Sequence, residues 1–255
     1  MNLLEAIFLG IVQALTEWLP ISSSGHLVLI QQVLKLNPPL IFNAMLHLGT
    51  IIVTILVFFK DIVKIVERFV KLDFKSQDGR LGPLILVGII PTGVIGLGFR
   101  FFIEPLFYNL FAVAIGFVIS GFILFSTKQK TKGKGLSLWD SILIGIAQGI
   151  AIAPGISRSG ATIGAGLIRG VKKEVAVKYA FLISIPAILG ATVVEMGGLV
   201  WDIDLLAGLV GMSVSMTVGF LSFKALLRIV KHGNLYKFAY YCWIAGIASL
   251  IISVL

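Results

Sequence analysis

The sequence predicts an all-α integral membrane protein: six transmembrane helices plus two re-entrant helical hairpins in an inverted-topology repeat. Three observations carry that prediction. The 255 residues are 58% hydrophobic and 13% charged, with a mean hydropathy of +1.03, whereas soluble chains are roughly half apolar and a quarter charged. Six apolar stretches are long enough to cross a bilayer, which takes about 20 residues. Two further apolar regions are broken in the middle by Pro, Gly and Ser, and they resemble each other.

In chain order, the first broken region is residues 3–36, interrupted at Pro20-Ile-Ser-Ser-Ser-Gly25. The piece after the break, His26 to Leu36, would rise only about 16 Å as a helix against about 30 Å of hydrocarbon. Three spans follow, Ile41–Phe59, Leu84–Phe102 and Leu110–Thr127. The second broken region is residues 139–168, interrupted at Pro154-Gly-Ile-Ser-Arg-Ser-Gly160. Ala176–Glu195, Leu205–Phe223 and Phe238–Leu255 complete the spans.

Loop charge sets the expected orientation. Six Lys/Arg lie in Lys60–Arg80, four in Lys128–Lys134, four in Arg169–Lys178 and four in Lys224–Lys237, while Asn37–Pro39, Glu104–Asn109 and Gly197–Asp204 hold none. Basic loops stay cytoplasmic, which places both termini outside. Residues 139–168 then have cytoplasmic loops at both ends, so they enter and leave on one side. By the same parity, residues 3–36 form a hairpin entering from outside. Non-helical backbone at membrane depth is tolerated only where protein or a watery cavity satisfies it, so the two tips are expected to meet.

The two broken regions share a register. Gly10-Ile-Val-Gln13 matches Gly145-Ile-Ala-Gln148, and Ser22-Ser-Ser-Gly25 matches Ser157-Arg-Ser-Gly160, both at an offset of 135 residues, with Pro20 and Pro154 one residue out of step. The chain therefore reads as one membrane domain, 1–255, with inverted halves 1–127 and 128–255 and the functional site at their interface.

Several function classes fall away. The net charge of +9 sits in short loops and is explained by topology, so no nucleic-acid partner is expected. One cysteine, Cys242, gives neither an intrachain disulfide nor a thiolate metal cluster. Glu5 stands where a leader would be basic, and no small-residue cleavage site precedes Glu17, so the chain is expected to be mature. Walker, dinucleotide and His-x-x-x-His motifs are missing from the sequence.

Chemistry concentrates at the two tips. Gln13 and Glu17, four residues apart, share a helix face, and an ionisable group at that depth is a functional candidate by default. Ser22, Ser23, Ser24 and His26 follow at once, and either His26 or Ser23 qualifies as the nucleophile, with Glu17 as base or cation ligand. The second tip adds Ser157, Arg158, Ser159 and Thr162. Arg158 presents a charged fork suited to phosphate oxygens, and the helix restarting near Ser159 offers free N–H groups to an anion. Elsewhere, Arg100 and Glu104 read as an interfacial pair, His47 and His232 as isolated, and Glu195 as facing water at a span end.

Together, Gln13-x-x-x-Glu17, Ser22-Ser-Ser-Gly-His26 and Pro154-Gly-Ile-Ser-Arg-Ser-Gly-Ala-Thr162 resemble the paired signatures of the BacA-type undecaprenyl-diphosphate phosphatases, the bacitracin resistance proteins, over essentially the whole chain. The resemblance implies six spans with two re-entrant hairpins, a plasma-membrane location, and removal of the terminal phosphate from a long polyprenyl diphosphate to regenerate the monophosphate carrier lipid for cell-wall glycan export. Carried over by position, the catalytic residues are His26, Glu17, Ser23 and Arg158. Gln13, Ser157 and Thr162 join Arg158 on the phosphates, and Ser22, Ser24, Ser159 and Gln148 extend that set. A divalent cation, Mg²⁺ or Ca²⁺, is implied, with Glu17 as its ligand. Some members carry Glu where this chain has Gln13, so a two-carboxylate metal site is not expected here. Self-association as a homodimer belongs to the same expectation. The rival class is a secondary transporter or flippase for an anionic lipid, because inverted repeats with broken helices serve that function equally.

Overall fold

A computed structural model describes residues 1–128, 133–196, 204–231 and 234–254. The expected outer connection Gly197–Asp204, apart from Asp204, lies outside the described residues, as do His232, the side chain of Glu195 and the centre of the loop Lys128–Lys134. Among the described residues the regular elements are helices, with one isolated bridge between Lys134 and Val171.

Helix α1 (Leu3–Trp18) begins with a capping box in which Asn2 and Glu5 satisfy each other's backbone N–H. It breaks at Leu19–Ser22, and α2 (Ser23–Val33) returns against it. Helix α3 (Leu40–Val57) bends by 72° into α4 (Phe59–Val70), and α5 (Gln77–Gly98) follows. The short α6 (Arg100–Ile103) and a 3-10 turn at Glu104–Tyr108 pivot through 105° into α7 (Leu110–Ser126). Helices α8 (Leu138–Ile150) and α9 (Arg158–Ile168) form the second hairpin, followed by α10 (Lys173–Met196), α11 (Leu205–Lys231) and α12 (Phe238–Val254).

The six expected spans fall in α3, α5, α7, α10, α11 and α12. Four of these, α5, α10, α11 and α12, are long and apolar enough to cross a membrane alone, and the two bent pairs raise the number to six. Leu56, Ile90, Val94, Phe122, Leu221 and Ile244 lie exposed on their outer faces, as lipid contact requires and water does not favour. The protein is therefore a multi-pass helical membrane protein.

The second hairpin closes on itself at its base. Asp140, at the start of α8 and fully buried, pairs with Arg169 at the end of α9 at 3.0 Å and with Lys134 at 2.8 Å. Backbone bonds from Lys134 to Gly170 and from Lys172 to Lys134, both 2.9 Å, tie the same ends. Both arms of α8–α9 thus start and finish at one face.

Each first arm packs on a partner helix through a glycine. A Cβ on Gly10 would lie 2.7 Å from the Gly211 carbonyl of α11, and one on Gly145 would lie 2.0 Å from the Gly88 carbonyl of α5. Only glycine permits such backbone approach, a common device where helices meet in lipid. Arg100 and Glu104 form the expected exposed pair at 3.7 Å.

The helices restart earlier than the sequence breaks suggest. Ser22 and Ser157 are the N-caps, each accepting from the N–H of Gly25 or Gly160 at 3.2 and 3.1 Å. Ser23 and Arg158 therefore stand at the first helical position of α2 and α9. A cap hydroxyl satisfies an amide the helix leaves open, which is why the serine, not the proline, marks each boundary.

Candidate active site

The two tips meet through side chains. Glu17, in the last turn of α1, forms an ion pair through Oε1 with Nη2 of Arg158. Its other oxygen, Oε2, accepts from the Ser23 hydroxyl at 2.5 Å and from Gln13 Nε2 at 3.2 Å. Ser159 of the second tip donates to the Leu19 carbonyl of the first at 3.4 Å. Burying a carboxylate costs several kcal/mol unless it is paired and hydrogen-bonded, and the Arg158, Ser23 and Gln13 contacts all converge on Glu17.

Both tips are wired alike and then held by a spanning helix. Ser22 and Ser24 hydroxyls lie 3.3 Å apart, as do those of Ser157 and Ser159. The second tip hangs on α7: Ser120 donates to the Gly155 carbonyl at 3.0 Å and accepts from the Ser157 N–H at 2.8 Å. Gly155 itself has φ +87°, and a Cβ there would sit 2.2 Å from the Val113 carbonyl. At the first tip the left-handed residue is Ser22, at φ +68°, a conformation costing a non-glycine residue of order 1–3 kcal/mol. That conformation is accompanied by a contact from the Ser22 carbonyl to His26 Nδ1 at 2.7 Å.

The His26 bond decides its tautomer. A carbonyl only accepts, so Nδ1 carries the proton, and in the neutral ring Nε2 carries the lone pair. That nitrogen lies 2.7 Å from the Tyr241 hydroxyl of α12, which donates to it. Tyr241 also stacks on the ring at 5.6 Å and 14°, while Phe117 meets it edge-on at 5.1 Å. His26 is thus engaged on both nitrogens, whereas Ser23 is the group in contact with the buried carboxylate.

Other expectations divide. Gln13, Glu17, Ser23 and Arg158 form one connected cluster. Thr162 turns back into its own helix, donating to the Arg158 carbonyl at 2.8 Å, so it braces the turn that carries the guanidinium. Gln148 is not brought to the cluster: its amide donates to Thr92 and to the Ile183 carbonyl at 3.3 and 3.4 Å. The repeat places Gln13 and Gln148 in equivalent positions, but Glu17 has Ile152 as its counterpart, so of the two tips the first alone carries a carboxylate.

His47, expected to be isolated, is not. Its Nε2 lies 3.8 Å from Glu17 Oε2, and Nδ1 donates to the Asn43 carbonyl at 2.9 Å. The one sequence signal was a polar residue inside an apolar span. Tyr241 and Ser120 had no signal beyond their residue type.

Two buried polar atoms of the cluster, Gln13 Oε1 and Arg158 Nη1, have no hydrogen-bond partner among the described residues. A buried unpaired donor beside a carboxylate fits a phosphate oxygen, and a buried unpaired oxygen fits a hard cation. No group of three His, Cys, Asp or Glu gathers among the described residues, so a cation here would take oxygen from Glu17, Gln13 and the substrate.

Fold and site together define a multi-pass membrane protein with a buried serine, carboxylate and guanidinium where two helical hairpins meet. The particular family follows from comparison: the profile of the bacitracin resistance protein BacA family matches residues 6–248, and the chain belongs to that family. It is 43% identical to the undecaprenyl-diphosphatase of Carboxydothermus hydrogenoformans, covering 99% of this chain and 98% of that protein. It is 40% identical to the undecaprenyl-diphosphatase of Korarchaeum cryptofilum, at 98% and 99% coverage, and 37% identical to that of Methanosphaera stadtmanae, at 100% and 99%.

Proposed function

We propose that this chain hydrolyses undecaprenyl diphosphate, releasing the terminal phosphate and leaving the monophosphate carrier lipid in the membrane. The observation that carries the mechanism is the 2.5 Å contact from the Ser23 hydroxyl to Glu17, with Arg158 on the same carboxylate. A nucleophile in direct contact with its base is the arrangement that phosphoryl transfer to a side chain needs, and a reversible carrier has no use for it.

Arg158 exchanges Glu17 for the diphosphate oxygens, which frees the carboxylate to take the Ser23 proton. Ser23 Oγ forms a bond to the terminal phosphorus as the bond to the bridging oxygen breaks, and the lipid monophosphate leaves. Glu17 passes its proton to the departing monophosphate; water then attacks the phosphoserine, gives a proton to Glu17, and phosphate departs as Ser23 Oγ takes that proton back. Helix-start amides of α2 and α9, which lack intrahelical acceptors, and Arg158 stabilise the charge spread over the equatorial oxygens. His26, tied between Ser22 and Tyr241, positions the first tip. Glu17 and Gln13 Oε1 are the oxygens that would hold a Mg²⁺ or Ca²⁺ ion, which would neutralise charge on the diphosphate.

The inverted halves 1–127 and 128–255, termini outside and basic loops cytoplasmic, belong to this reading, supported by loop charge and by the matching capping bonds of the two tips. A homodimer rests on the resemblance alone. The test is phosphate release from undecaprenyl diphosphate by protein in lipid nanodiscs. Wild type should release phosphate, lose the rate on chelation and trap a labelled phosphoserine, and Ser23→Ala should neither release phosphate nor trap the label. Transbilayer movement of the lipid without phosphate release would favour the carrier.

A further inference from the structure

Helix α4 has three faces. Ile62, Ile65 and Phe69 turn toward α5, where a Cβ on Gly82 would meet Phe69 at 2.8 Å and Ile65 at 3.6 Å. Phe59, Val63, Val66 and Val70 recur at four, three and four residues, which sets them on one stripe, and they are 58%, 47%, 55% and 75% exposed. Lys60, Lys64, Glu67 and Lys71 occupy the remaining arc. A helix with one face on protein, one apolar face open and one charged face open lies in the plane of a membrane surface. The 72° bend turns its axis away from that of α3.

The charges around it do not cancel. Asp61 and Asp78 both pair with Lys178, at 2.6 and 3.0 Å. Glu67 pairs with Lys71 at 2.6 Å, and Asp73 pairs with Arg68 at 2.9 Å. Every acid between residues 59 and 80 is therefore taken by a base. Lys60, Lys64, Lys75 and Arg80, all exposed, have no acid within ion-pair distance among the described residues.

We propose that α4 and the turn after it form a docking face for a leaflet of anionic phospholipid: the Phe59–Val70 stripe enters the acyl boundary, and Lys60, Lys64, Lys75 and Arg80 bind headgroup phosphates. The complementarity is of two kinds at once, apolar stripe to acyl chains and uncompensated cations to anionic headgroups. This inference is independent of the catalytic reading, because it uses none of the residues at the hairpin tips.

The test uses the full chain in nanodiscs of phosphatidylcholine and phosphatidylglycerol. Cys242 is buried, so bimane attaches to cysteines introduced as Val63→Cys, Val66→Cys or Arg68→Cys, the last exposed on the side of α4 opposite the stripe. Brominated lipid should quench the labels at 63 and 66 and spare the label at 68, with aqueous iodide doing the reverse. Competition between spin-labelled lipids should show a preference for phosphatidylglycerol. Each neutralised cation is expected to weaken that preference by up to about fivefold. Lys60→Gln with Lys64→Gln reads this directly, and wild type at 500 mM salt should lose the preference without any substitution. Equal iodide quenching at 63 and 68, or a preference unchanged by both the double variant and salt, overturns the proposal.

Discussion

Replacing Glu17 by Gln separates the structural work of the carboxylate from its chemical work. The substitution keeps the shape of the side chain, removes the acceptor of the Ser23 proton, and leaves Arg158 without its counter-charge. Breaking one partner of a buried pair costs about 3–5 kcal/mol. The Arg158 side chain keeps 20% of its surface open and the Glu17 side chain only 4%, so the cost should sit near the lower end, about 3 kcal/mol. At roughly 2–4 °C per kcal/mol for a chain of this size, Tm falls by about 6–12 °C. The rate should fall further in relative terms, by about 10²–10⁴ for a lost general base. Adding Arg158→Gln removes both charges, and it should recover most of the Tm while leaving phosphate release at the floor. The assays are thermal unfolding and phosphate release in nanodiscs. A Glu17→Gln enzyme within tenfold of wild type, or a double variant that regains activity with its stability, would refute Glu17 as the base.

Three further outcomes are expected. Tyr241→Phe keeps the ring stacked on His26 and removes only the hydroxyl on Nε2; kcat should drop several-fold with KM little changed, and a faster enzyme would mean that His26, once freed, is the nucleophile. Gly155→Ala meets both a left-handed backbone and the Val113 carbonyl, so it should destabilise by at least about 2 kcal/mol and displace Arg158, read as a lower Tm together with a raised KM; wild-type behaviour would mean the tip relaxes freely. For orientation, a membrane-impermeant thiol reagent added outside intact cells should label Asn37→Cys and miss Lys75→Cys, and the opposite pattern would invert the topology.

How much of the site was legible depended on distance along the chain. Gln13 and Glu17 are neighbours on any helix, so their contact followed from spacing. The choice between Ser23 and His26 did not follow, since both are within ten residues of Glu17 and both carry usable chemistry. In the fold the left-handed Ser22 carbonyl holds one His26 nitrogen and Tyr241, 215 positions away, holds the other, and it is on that difference that the proposal of Ser23 as nucleophile rests. His47 read as isolated because nothing near it in sequence is charged, yet α3 packs beside α1 and carries it to Glu17. Gln148 erred in the other direction: its repeat position matched Gln13, but Ile152 stands where a second carboxylate would be needed.

The sequence by itself determined the spans, the two hairpins and the residues at their tips, because the bilayer imposes a length and an obligation to satisfy every backbone polar group. Both constraints run along a single chain direction and can be read by counting. Tertiary structure alone decided which hydroxyl meets the buried carboxylate, which nitrogen of His26 accepts from Tyr241, and that Arg158 rests on Glu17. The Arg158–Glu17 and His26–Tyr241 contacts join residues 141 and 215 positions apart, and the Ser23–Glu17 contact bridges the break between α1 and α2. Their distances are set by how α1, α7, α9 and α12 pack, and a shift of an ångström or two in that packing separates a hydrogen bond from none.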